Sequence, residues 1–343
     1  MNKNTVYKIL SVIFILGVLI GMLCFMVSKD GLDNIILILK TTDYGWFSLG
    51  LLLMFAEISL DSLILLFPYK KSGRSVKFIE ILKSCYIGRF FSYITPFNSG
   101  GQPVQAYYLS KKGASLSKTI SILIIKYIVY QAALLSWGLI LFLINSRFFF
   151  SIFEKYIWLI ILGILINLIV TVFSIVTGRH SLIVSNIITF FIDRLSLIHM
   201  GEKHLIKYPD KIKTKVYTSI SNYGKQFNET SYSKITLLKM YLVSMLQAFS
   251  YLAMTFVIYR ALGNQGASII DIITIQIFLF LIIAYIPTPG SGLGAESIFA
   301  LFYYNIFVSN LNMANLFWRI FTFYIPFVIG GIIVISVKRS DNI

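Results

Sequence analysis

The chain has 343 residues, of which 57% are hydrophobic, 16% aromatic and 13% charged, with a formal net charge of +16 and a mean hydropathy of +0.80. No soluble domain of this length keeps that much apolar surface from water, so the composition excludes a soluble globular protein and assigns an integral membrane protein. Apolar runs of about 20 residues, enough for a helix to cross the hydrocarbon core, recur along the chain and leave no room for a separate soluble domain, so 1–343 reads as one all-α membrane domain.

In chain order, full spans are predicted at 6–27, 44–67, 119–144, 156–177, 235–260 and 315–337. The first, within "MNKNTVYKILSVIFILGVLIGMLCFMV", has a basic start but an apolar run too long for a signal peptide and no small-residue cleavage site, so it reads as uncleaved. Regions 76–110 and 271–306 behave differently. Each is long enough for two crossings but is broken in the middle by Pro and Gly, as though a helix enters, stops and turns back. Between the halves, 178–234 is a basic connection, whose apolar piece 181–200 reads as an interfacial helix because a span there would invert every later loop.

Counting Lys and Arg sets the orientation. About 20 of the 30 basic residues fall on one side, in the N-terminus, the 70–77 and 111–118 connections, the 178–234 loop and the C-terminus. The other side carries Lys29, Lys40, Arg147 and Lys155. By the positive-inside rule both termini are expected to be cytoplasmic, in a bacterial-type plasma membrane. The positive charge then follows from topology, and nucleic acid is not expected as a partner. Cys24 and Cys85 have no partner at a recognisable spacing, and His180, His199 and His204 share one polar connection without ligand spacing. No disulfide, metal site or cofactor is expected.

The two broken regions are alike. "TPFNSGGQPVQAYYL" begins at Thr95, and "TPGSGLGAESIFALF" at Thr288; aligning Pro96 with Pro289 places Gly101 on Gly294 and Gln102 on Ala295. The charge count puts cytoplasmic loops beside the first and external loops beside the second. The expectation is therefore an inverted repeat, 44–145 with hairpin 76–110 and 235–338 with hairpin 271–306, whose re-entrant hairpins dip in from opposite faces. Irregular backbone at that depth must be buried in protein or line a polar cavity, because amides facing lipid would go unsatisfied. Pro96, Gly100, Gly101, Pro289, Gly290, Gly292 and Gly294 are thus candidates for close approach of a ligand, and the helices resuming after Gly101 and Gly294 aim their positive ends at an anion.

Ionisable residues in membrane segments are functional candidates. Glu57 and Asp61 are four apart and share a helix face, which requires a shared proton or a base opposite, such as Arg89 or Lys126. These two cations are the candidates for a phosphate, whereas Lys83 and Arg319 read as residues that snorkel to an interface. Glu296, in the first turn of the resumed helix, reads equally as a structural cap or as a coupling group. Tyr93, Tyr107, Tyr108 and Tyr130 are candidates to line a polar path. No hydrolase elbow, zinc-helix motif or phosphate-cradling loop accompanies them, so no catalytic residue is assigned.

The stretches "TPFNSGGQPVQAYYLSKKG" and "IPTPGSGLGAESIFALF" together resemble the two signature stretches of a flippase-like membrane family that includes the transmembrane region of lysylphosphatidylglycerol synthase/flippase, the multiple peptide resistance factor. The resemblance implies a polytopic fold that moves modified phospholipids between leaflets. Its fused members carry a soluble lysyltransferase domain after the last span; here "VKRSDNI" follows directly, so that activity is not expected. Where the family often has an acidic residue and, three positions later, an arginine, this chain has Gln102 and Gln105, which leaves the substrate open. Glu296 matches the glutamate of the second motif.

The expectation is a lipid translocator. Asn98, Gln102 and Gln105 hydrogen-bond the headgroup, Arg89 or Lys126 takes its phosphate, and Glu57, Asp61 and Glu296 couple or gate. The alternatives are a membrane-embedded lipid-modifying transferase and a noncatalytic partner of a separately encoded synthase or glycosyltransferase; homo-oligomerisation is left open.

Overall fold

The protein is described from a computed structural model, in which residues 28, 32–71, 76–95, 98–196, 233–283, 292–308 and 310–340, with short pieces between 199 and 228, are the described ones. The chain is a polytopic all-α membrane protein. Five helical stretches are long and apolar enough to cross a membrane: Tyr44–Tyr69, Leu116–Ile144, Ser146–Arg179, Lys234–Ala261 and Leu311–Val337. They answer to five of the six predicted spans; the first, 6–27, lies outside the described residues.

A short helix α1 (Leu32–Thr41) precedes the long α2 (Tyr44–Lys71). Next come α3 (Phe78–Tyr93) and α4 (Gly101–Lys111), packed on each other across the break, and then the long α5 (Leu116–Ile144). After α6 (Ser146–Phe153), α7 (Ile157–Arg179) and α8 (Ser181–Ser196), the order repeats. The long α9 (Lys234–Ala261) leads to α10 (Ile269–Ile283) and α11 (Gly292–Phe307), again packed together, and to α12 (Leu311–Arg319) with α13 (Ile325–Ser340). The first hairpin's arms have 16 and 11 residues, fewer than the roughly 20 that a full crossing needs; the second hairpin's arms are described over Ile269–Ile283 and Gly292–Phe307.

The contacts between elements come in matched sets. Within the first unit α2 touches α3, α4 touches α5 and α2 touches α5; within the second α9 touches α10, α11 touches α12 and α9 touches α12. Across the units, α13 packs on the first hairpin's α3 and α5 packs on the second hairpin's α10. The two leading helices, α2 and α9, form the most extensive contact of all. They run antiparallel: the Asp43 amide just before α2 donates to the Ala261 carbonyl at the end of α9 at 2.8 Å, while Glu57 meets Gln247 at mid-helix. Fully buried Ser62 on α2, with Ser244 and Ala248 on α9, keep the side chains small in this region, which lets helix backbones approach without a hydrophobic driving force between them.

The breaks have local causes. At the first, Gly101 is obligatory: a Cβ there would collide with Ser92 Oγ and come within 2.5 Å of the Gly88 carbonyl. Asn98 turns the chain with φ +54°, a left-handed conformation that Asn tolerates better than most non-glycine residues. Near the other end of the chain, a π turn at Ile320–Tyr324 joins α12 to α13. Pro326 follows it and has no N–H, so the Thr322 carbonyl loses its ordinary helical donor; the Tyr93 hydroxyl of α3 donates to it instead at 2.8 Å.

Candidate functional site

Four helices bring charged side chains to one place. Glu57 and Asp61 on α2, one turn apart, face Arg89 on α3 and Lys126 on α5. Arg89 Nη2 stands 2.6 Å from both Glu57 carboxylate oxygens, and Lys126 Nζ is 2.6 Å from Asp61 Oδ1. Gln247 on α9 closes the group: its amide nitrogen donates to Glu57 Oε1 at 2.9 Å and to Asp61 Oδ1 at 3.2 Å. Two carboxylates a turn apart in low dielectric repel, and here each is compensated by its own cation rather than by a shared proton. The Glu57 side chain is 4% exposed; removing one partner of such a pair leaves an uncompensated buried charge.

These residues line a cavity of about 750 Å³, within the range of small-molecule sites. Of the residues predicted from sequence, Glu57, Asp61, Arg89, Asn98, Gln102, Gln105 and Lys126 all line it, as do Tyr93 and Tyr130. Gln105, buried, also donates to Ser84 Oγ at 3.3 Å, which ties α4 to α3. Asn98 Oδ1 and Gln247 Oε1 are buried acceptors without a donor among the described residues.

Other expectations change. The space beside Gly100 and Gly101 is occupied by Thr95, Ser92 and backbone of α3, so these glycines serve the packing of the hairpin arms rather than the cavity wall. Gly292 and Gly294 lie in the first turn of α11, outside the lining. Pro96, Pro289 and Gly290 lie outside the described residues. Tyr107 is exposed, and Tyr108 is buried and bonded to Glu80, a carboxylate that also pairs with Lys83 at 2.9 Å.

Two corrections concern charge. The second hairpin's outgoing helix is already formed at Gly292, ahead of the expected start after Gly294, so Glu296 lies past its first turn, beyond the reach of an N-terminal cap. It approaches Arg319 instead, Oε1 to Nε at 3.4 Å. Arg319 does not snorkel. It is 6% exposed and lines the cavity, and its guanidinium lies 5.3 Å and 5.4 Å from the ring centroids of Trp318 and Phe323. The signal was in the sequence: the offset of 193 residues that carries Pro96 onto Pro289 and Gly101 onto Gly294 also carries Lys126 onto Arg319. Gln247, the bridging residue, has no counterpart by that rule, since a lone Gln in an apolar span carries no pattern.

Fold and site together define a polytopic helical membrane protein with a charge-compensated polar cavity among its helices. The family model described as the lysylphosphatidylglycerol synthase TM region matches residues 9–330, and the chain belongs to that family. It is also similar to a protein named UPF0104 membrane protein from Archaeoglobus fulgidus, 26% identical over 267 residues that cover 76% of each chain.

Proposed function

We propose that this protein moves a phospholipid or lipid-linked headgroup between leaflets, the headgroup passing through the cavity while the acyl chains stay in the bilayer. The observation that carries the reading is the cavity itself, in which seven predicted polar or charged residues converge inside the helical bundle. A closed structural ion-pair cluster would need no space beside it. Membership of a family named for a lysylphosphatidylglycerol synthase supports a lipid as the molecule handled.

The matched contacts of the two units, their antiparallel leading helices and the sub-spanning length of the first hairpin's arms support an inverted repeat with re-entrant hairpins. Rocking of one unit against the other would then alternate access to the cavity. The headgroup is held by Asn98, Gln102 and Gln105, and Glu57 and Asp61 gate through their cations. Both termini face the cytoplasm in this reading.

The test is scrambling of fluorescent phosphatidylglycerol, lysylphosphatidylglycerol and a glycolipid in proteoliposomes, with wild type beside Gln102→Ala and Glu57→Gln. Movement of one lipid class that the substitutions abolish supports translocation. No movement of any lipid under several ion gradients, by protein shown to be folded, would remove it.

A further inference from the structure

Gln247 offers the cavity one end of its amide only. Its nitrogen is committed to Glu57 and Asp61, at 2.9 Å and 3.2 Å. Carboxylates accept and do not donate, so the amide cannot be turned about without setting its oxygen against two anions. The oxygen that remains belongs to a residue 3% exposed in the cavity lining, and it has no donor among the described residues. Asn98, also in the lining, presents a buried Oδ1 in the same condition.

A further group in the lining is of the opposite kind. Trp318 is 2% exposed, and its ring is fixed by stacking on Phe299 with centroids 5.0 Å apart. Its indole N–H, a donor and never an acceptor, is buried with no acceptor among the described residues. Buried polar groups left unpaired are unfavourable and rare enough in folded proteins that each calls for a partner.

The kinds of group distinguish the ligands that could supply those partners. Phosphate oxygens accept, so they suit the indole but neither amide oxygen. An ammonium donates, so it suits the amide oxygens but not the indole. It would also bring positive charge beside Arg89 and Lys126, while the carboxylates of the lining, Glu57 and Asp61, are already held by those cations at 2.6 Å. A hydroxyl both donates and accepts, and being uncharged it leaves the ion pairs in place.

We propose that the cavity receives an uncharged polyhydroxyl headgroup, its hydroxyls donating to Gln247 Oε1 and Asn98 Oδ1 and accepting from the Trp318 indole N–H. This rests on the translocator reading for the hydroxyls arriving on a lipid. The glycerol of a phosphoglycerol lipid and the sugar of a glycolipid share the chemistry. Gln247 then has two roles, its nitrogen holding the two carboxylates and its oxygen selecting the headgroup.

The experiment is native mass spectrometry of the purified full chain in detergent, titrated with short-chain lipids in matched pairs. Dihexanoyl phosphatidylglycerol is set against dihexanoyl phosphatidylmethanol, which keeps the phosphodiester charge and lacks the hydroxyls, and glucosyl dihexanoylglycerol against its per-O-methylated form. Within at least one pair the hydroxylated lipid should be retained about fivefold or more above its partner, the worth of about one net hydrogen bond, and that pair names the source. The preference should shrink in Gln247→Met, in Asn98→Gly and in Trp318→Phe, which keeps the stacked ring. A fall in any one of them places a hydroxyl at that residue, so the test stands even if Gln247→Met fails to fold. No preference within either pair leaves these groups to water and overturns the proposal, as does a preference that survives all three substitutions. Dihexanoyl phosphatidylethanolamine retained above phosphatidylglycerol would assign the acceptors to an ammonium and overturn it too. Hydroxyl-dependent retention by protein that scrambles no lipid in proteoliposomes upholds the headgroup and removes translocation instead.

Discussion

Lys126 and Arg319 stand 193 residues apart, the offset that also carries Gly101 onto Gly294, and both line the same cavity. Their surroundings are not equivalent. Lys126 is held at 2.6 Å by Asp61 of its own unit's leading helix, whereas Arg319 is 3.4 Å from Glu296 on its own unit's hairpin. The residue offset recurs while the ion pairing does not: one cation is held by a carboxylate that lines the cavity, the other by one that lies outside its wall.

The Glu57–Arg89 pair gives the first prediction. Glu57→Gln leaves Arg89 facing an amide, and a buried pair broken on one side typically loses about 3–5 kcal/mol; the Arg89 side chain is 22% exposed, so about 1–3 kcal/mol is expected here. The double substitution Glu57→Leu with Arg89→Leu removes both charges and should recover most of that loss without recovering lipid movement. Thermal unfolding in detergent of Glu57→Leu, Arg89→Leu and the double variant forms the cycle. A double variant as unstable as the sum of the singles would mean that the pair is not coupled.

The first hairpin is predicted to depend on one glycine far more than on its neighbour across the interface. A Cβ on Gly101 collides with Ser92 Oγ and reaches the Gly88 carbonyl at 2.5 Å, both parts of α3 that cannot withdraw without parting the arms. A Cβ on Gly88 finds its nearest atoms at 3.5 Å, ordinary contact. Gly101→Ala should therefore lower the yield of monodisperse protein in detergent several-fold, and Gly88→Ala should leave it near wild type. Equal yields would show that the arms are not packed this way.

What the sequence disclosed divides along physical lines. Long apolar runs and the Pro-Gly interruption after Thr95 report on length and backbone, and those read correctly as five spans and as the end of α3 before α4. Glu57, Asp61, Arg89 and Lys126 were legible because charge in an apolar helix is rare enough to stand out by itself. Arg319 stood out equally, but its distance from the helix end suggested snorkelling, and only its packing beneath Phe323 and Trp318 shows that it turns inward. Gly100 and Gly101 illustrate the opposite case: a glycine pair is consistent with ligand approach and with helix packing alike, and tertiary contact decides for packing. Gln247 carries no sequence signal, since its role arises from the two carboxylates that face it across the bundle.

Asn98 separates backbone from side-chain effects. Its φ of +54° costs an ordinary L-residue about 1 kcal/mol or more, a penalty that glycine escapes. Asn98→Ala should lower thermal stability and Asn98→Gly should not, yet both remove Oδ1, the buried acceptor that lines the cavity without a donor among the described residues. If that oxygen meets the headgroup, scrambling rates fall alike in both variants. Rates that follow stability instead, with Asn98→Gly as active as wild type, would assign Asn98 to the turn alone.

The inverted arrangement is predicted to be visible as opposite-sided access. Ser99 sits in the first break, is exposed and lines the cavity, and Ser291 lies in the corresponding stretch of the second half. With Cys24 and Cys85 replaced by Ser, a background in which the buried Cys85 thiol no longer competes, Ser99→Cys and Ser291→Cys are each probed in oriented vesicles with a membrane-impermeant maleimide. Arms of 16 and 11 residues cannot carry the first break across a core of about 30 Å, so Ser99→Cys should react from the face on which α3 begins. Ser291→Cys should react from the other face, because α9 runs antiparallel to α2 and an inverted repeat reverses the entry of its hairpin. Added phosphatidylglycerol should protect Ser99→Cys, which lies in the cavity wall. Labelling of both positions from one face would leave two parallel units, and the alternating-access reading would lose its geometric basis.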